Sequence, residues 1–128
     1  MEFIRTNGGI FWDPDVLPQN GIVFILARWS GYSLSSLNFL IKQLENFPTT
    51  NLYVLDIDNQ MARSFQNKYQ VLSHGYGETF WLQENEILFT ILRYRQEEMD
   101  KIVCYTEKML GKNSFAFVAT RPTLGDNK

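Results

Sequence analysis

A single cysteine, Cys104, and a single histidine, His74, occur in 128 residues. One thiol forms no internal disulfide, and the four-ligand Cys/His patterns of structural zinc need more of both residue types. Proline is also scarce: four are present, with none between Pro48 and Pro122. Charge of either sign is nearly balanced, with 12 Lys and Arg against 14 Asp and Glu and a formal net charge of −2. Without a basic run, the electrostatic footprint of a nucleic-acid binder is missing. The longest apolar run, "IVFILA" at Ile22–Ala27, is far too short to cross a bilayer. The opening "MEFIRTNGG" has no cationic start followed by an apolar core, so it does not read as a secretory signal. These absences predict a cytoplasmic protein with no metal and no cofactor, whose partners are neither nucleic acid nor membrane.

What is present is an ordinary globular balance, 45% apolar and 20% charged, with an aromatic share of 15%. A chain of this length buries roughly two-thirds of its unfolded surface as one domain, enough to hold together without staples. Glu2–Thr6 reads as a short strand ended by "NGG". Asp13, with Pro14 behind it, is the N-cap pattern of a short helix. "IVFILA" and "NLYVLDID" are continuous apolar runs, the mark of strands buried on both faces. Between them Leu37, Leu40, Ile41 and Leu44 recur at helical spacing until Pro48 ends the segment. Asp58 is placed to cap a third helix with Met61, Ala62, Phe65 and Tyr69 inward. "ETFWLQ" and "EILFTILRY" around Glu84-Asn85 read as a hairpin. A last helix is expected over Glu97–Leu110, with Met99, Ile102, Val103, Thr106, Met109 and Leu110 inward and Gly111 as its stop. Cys104 then reads as a small apolar filler beside that inward face. "SFAFVAT" is a candidate further strand, and "RPTLGDNK" a frayed tail.

The element order is thus β α β α β α β β α, with parallel strands joined by right-handed crossovers. Between the second strand and the second helix lies "ARWSGYS". This order and this turn resemble the thioredoxin family over about residues 3–110. The resemblance is ungapped from Phe3 to Ser33: an opening strand, a short helix ending in "DVL", a central strand and the turn. Further on, "LYVLDID" is similar to the family's "KLNID", and "ETFWLQENEIL" to its "TLLLFKNGEV". It implies an α/β thioredoxin-like fold, a mixed five-stranded sheet flanked by helices on both faces. Residues 1–110 would form that domain and residues 111–128 a C-terminal extension.

The same resemblance argues against the family's chemistry. Where thioredoxins read "WCGPC", this chain reads "WSGYS", Trp29–Ser33. Thiol–disulfide exchange needs a thiolate and a resolving thiol, and serines stand at both places. The family's buried aspartate falls on Phe24 and its lysine partner on Val54. The cis-proline that should face the motif falls in "SHGYGET", where Gly75 or Gly77 takes its place. No thiol-disulfide oxidoreductase activity is expected, and no catalytic residue is assigned.

Two functions remain. One is a redox-inactive protein that acts by binding another protein, as an accessory chaperone or an inhibitor of the immunity-protein type. Its surface would be Trp29, Ser30, Gly31, Tyr32 and Ser33 with the facing loop His74, Gly75, Tyr76 and Gly77. The other is a non-redox enzyme built on Ser30, Tyr32 and His74, hydrolase-like or glutathione-binding. The first needs only exposed rings around the turn. The second needs His74 within hydrogen-bond reach of Ser30. The bland alternative for the serines is a helix cap.

Overall fold

The computed structural model describes residues 3–4 and 9–113. In chain order it contains β1 (Phe3–Ile4), β2 (Gly9–Trp12), β3 (Gly21–Leu26), α1 (Gly31–Leu44) and β4 (Leu52–Asp56). Then follow α2 (Gln60–Tyr69), β5 (Thr79–Gln83), β6 (Glu86–Ile91), α3 (Gln96–Met99) and α4 (Ile102–Asn113). The strands form one mixed sheet in the order β1-β2-β4-β3-β5-β6. β2, β4 and β3 run parallel, and β5 and β6 are antiparallel to their neighbours. These five strands make the expected mixed sheet, and β1 adds an antiparallel edge to β2.

The apolar runs lie where burial on both faces requires them. Ile22, Phe24 and Leu26 face one core with Leu37, Leu40 and Leu44 of α1 and Ile102 and Met109 of α4. Their neighbours Val23 and Ile25 face the other with Leu55 and with Ala62 and Phe65 of α2. At about 25 cal/mol per Å² of apolar surface removed from water, this double burial is the main force holding the layers. Polar ties set the position of α4: Trp81 Nε1 donates to Thr106 Oγ1 at 3.1 Å, and Gln83 Nε2 to the Met109 carbonyl at 3.2 Å.

Four expectations are corrected. The strand in the parallel set is Gly9–Trp12, and no helix forms over residues 13–20. Asp13 is spent differently: its φ is +43°, and its carboxylate accepts from the Asp56 N–H at 2.9 Å and from Asn59 Nδ2 at 3.0 Å. The would-be cap thus fastens the end of β4. Asp58 does not cap α2, which begins after Asn59; the Asp58 N–H instead donates to Asp56 Oδ1 at 2.9 Å. The last helix is two, α3 and α4, and Gly111 lies inside α4 rather than at its stop. Cys104 is exposed, because Ile102, Thr106 and Met109 are the buried row and Cys104 points away from it. The candidate strand Ser114–Thr120 and the tail lie outside the described residues.

Candidate functional site

β3 delivers the chain to the turn at its C-terminal end. Arg28 anchors the approach, its Nε 2.6 Å from Asp56 Oδ2 at the end of β4. Ser30 is the N-cap of α1, with extended backbone (φ −111°, ψ 114°), and its Oγ accepts from the Ser33 N–H at 3.2 Å. Such a cap satisfies one of the donors a helix start leaves open. Ser33 is buried, and its Oγ accepts from the Ala27 N–H at 3.0 Å. Both hydroxyls therefore fold the turn.

Beneath the turn the site is apolar. Phe24 and Val54, the positions that the resemblance matches to a buried aspartate and its lysine, are direct partners in the β3–β4 register and are both buried. The Phe24 ring meets Tyr94 edge-on at 6.2 Å. Tyr94 is buried, and its hydroxyl lies 2.8 Å from Thr79 Oγ1. Burial pushes the Tyr94 phenol well above its ordinary pKa, more than the hydrogen bond to Thr79 lowers it.

The facing loop comes down on this turn through its glycines. A Cβ on Gly75 would stand 2.6 Å from the Trp29 ring, and one on Gly77 would stand 2.9 Å from the Phe24 ring and 3.0 Å from Ser36 Cβ. Both have positive φ, +83° and +88°, which glycine adopts without steric cost. So both glycines meet the motif end, Gly75 over Trp29 and Gly77 over Phe24 and Ser36. No peptide bond among the described residues is cis.

The rings gather as expected. Trp29 is 66% exposed. Tyr32 lies edge-on to Tyr76 at 6.2 Å, and its hydroxyl accepts from the Tyr94 N–H at 3.0 Å. His74 is exposed, its ring 6.0 Å from that of Tyr76 and its N–H donating to Glu78 Oε2 at 2.6 Å. No hydrogen bond joins His74 to Ser30 among the described residues, so the nucleophile–base pair of the enzymatic reading is not assembled.

Sequence reasoning missed the rest of this surface. Arg93 places its guanidinium carbon 4.1 Å from the Tyr76 ring centroid. An open cleft of about 690 Å³ continues from there, with Leu72, Tyr76, Glu78, Leu92, Arg93 and Arg95 in its lining. Of the six large exposed apolar side chains among the described residues, only Val16 is elsewhere; Trp29, Tyr32, Leu34, Leu72 and Leu92 belong to the turn, the first turn of α1, the loop and the segment after β6. Leu72 and Leu92 carried a usable signal, since each is an apolar residue just beyond the end of an element. The Arg93–Tyr76 contact had an indirect one, since both residues lie just beyond the open end of the β5–β6 hairpin, where Thr79 pairs with Ile91. No group of three or more His, Cys, Asp or Glu among the described residues could hold a metal ion, and no described helix is long and apolar enough to cross a membrane.

The same fold recurs in solved structures. A poplar thioredoxin h superposes with a TM-score of 0.53 at 19% identity, over 66% of this chain and 73% of that one. A Plasmodium falciparum thioredoxin gives 0.55 at 16% identity, over 66% and 84%. The Chlamydomonas reinhardtii thioredoxin f2 gives 0.57 at 12% identity, over 78% and 95%. The fold is thioredoxin-like. No protein-family model matches the sequence, and no curated protein matches it. Within this thioredoxin-like fold, the only sulfur nucleophile is Cys104 on α4, and the motif positions carry serine.

Proposed function

We propose that this chain is a redox-inactive thioredoxin-like protein that acts by binding another protein at the motif end, as an accessory chaperone or an inhibitor of the immunity-protein type. One observation carries the reading: Trp29 and Tyr32 are exposed against the facing loop, and Leu72 and Leu92 are exposed in the cleft that Tyr76 also lines. Exposed apolar area concentrated in one patch on a soluble domain marks an interaction surface, and Trp and Tyr are favoured at the centres of such surfaces. The serine hydroxyls are already engaged with backbone N–H groups, which leaves the rings rather than a nucleophile as the working groups.

The test is purification of the tagged chain from its own cells with identification of the proteins retained. Recovery of a defined partner should be lost when Ser73–Gly77 is replaced by a Gly-Ser segment, and kept when the exposed Lys42 on α1 is changed to Ala. Equal recovery with the replaced loop would move the interface elsewhere on the molecule.

A further inference from the structure

We propose that the cleft beside the turn holds an extended segment of the partner protein that combines acidic and apolar side chains. This rests on the protein-binding reading of the same end of the molecule and specifies what that end grips.

Charge is the first support. Arg93 and Arg95 are exposed in the cleft lining, and neither forms an ion pair among the described residues. The two carboxylates of the lining are engaged elsewhere. Glu78 is buried, its oxygens accepting from the Ser73 hydroxyl at 2.8 Å and the His74 N–H at 2.6 Å. Glu98 lies 3.8 Å from Lys101. Arg93 and Arg95 thus stand in one recess with no carboxylate paired directly to either among the described residues. Guanidinium binds carboxylate through paired N–H donors and does so more strongly where water is partly displaced.

The leucines are the second support. Leu72 is 72% exposed and Leu92 59%, both in the same lining as the arginines. A polyphosphate chain would satisfy the arginines and leave these side chains in water, while the net negative charge of the protein would oppose it. A peptide with both carboxylates and apolar groups uses the whole lining.

The experiment is fluorescence anisotropy with a short fluorescein-labelled peptide alternating leucine and glutamate. Its Leu-Gln and Leu-Lys counterparts and a labelled oligothymidine serve as comparisons. The Leu-Glu peptide should bind about tenfold or more tightly than the Leu-Gln peptide, the scale of one charged hydrogen-bonded contact. Raising the salt should narrow that gap. The double variant Arg93→Glu/Arg95→Glu should reverse the preference toward Leu-Lys; both side chains are exposed, and retained circular dichroism confirms the fold. Equal binding of Leu-Glu and Leu-Gln, no saturable binding of Leu-Glu, or tighter binding of oligothymidine would each overturn the proposal. If the captured partner is weakened by Tyr32→Ala but unaffected by the arginine variants, the acidic segment is wrong and the surface stands. If neither substitution matters, the surface itself is wrong.

Discussion

Ser33 has no exposed surface, and its hydroxyl holds the Ala27 N–H at 3.0 Å. Ser33→Ala strands that buried donor and should cost about 1–3 kcal/mol. Ser30→Ala removes an N-cap and should cost about 1 kcal/mol. Urea unfolding of the two variants should therefore rank Ser33→Ala as the less stable; the reverse order would mean that Ser33 does not carry the turn. Tyr94 gives a second test at this scale. Burial raises its folded-state pKa above the ordinary phenol value of about 10. The stability it contributes is therefore complete below about pH 10 and is lost as pH rises toward the folded pKa, because the unfolded chain releases the proton first. Above about pH 10, urea midpoints of the parent should fall more steeply than those of Tyr94→Phe. Parallel slopes would contradict the burial of this phenol.

Among the elements, those with long periodic or continuous apolar patterns were legible in the sequence. β3, β4, α1 and the β5–β6 hairpin fall where their residues put them, and the hairpin turn has the left-handed pair Glu84 (φ +51°) and Asn85 (φ +67°) suited to a tight connection. The Asp13 misreading comes from a local signal overridden by a distant partner. Asp13 looked like a cap until Asp56 and Asn59, more than forty residues on, took its carboxylate. Asp58 lost its cap role to the same knot of groups. The motif serines were legible as a cap, while the cleft arginines were passed over although the hairpin reading brings Tyr76 and Arg93 to its open end. Gly111 was misread because glycine near a helix end usually marks its stop. Inside α4, a Cβ there would meet nothing within 4 Å. Gly111→Ala should thus raise stability by about 0.5–1 kcal/mol, read as a higher urea midpoint. A loss would show that the glycine ends the helix after all.

At the scale of the whole molecule, the fold is thioredoxin-like while serine stands at both positions that the resemblance matches to thiols. Ser30 caps α1 there, and the buried Ser33 hydroxyl accepts from the Ala27 N–H. Changing Ser30 and Ser33 together to Cys should let a disulfide form, detectable by thiol titration, since the two positions stand one helical turn apart at the start of α1. Insulin reduction by that variant should stay at the no-protein level, because Phe24 and Val54 stand where the resemblance puts the proton-transferring aspartate and its lysine. Robust turnover would mean that two sulfurs alone restore the chemistry. The binding surface itself is tested most directly by calorimetry of the captured partner with the parent, Tyr32→Ala and Lys42→Ala proteins, each checked for fold by circular dichroism. Tyr32→Ala should weaken binding about thirtyfold, the cost of roughly 2 kcal/mol typical of a central aromatic, while Lys42→Ala changes it by less than about fivefold. Unchanged affinity for Tyr32→Ala would contradict a partner site at the turn.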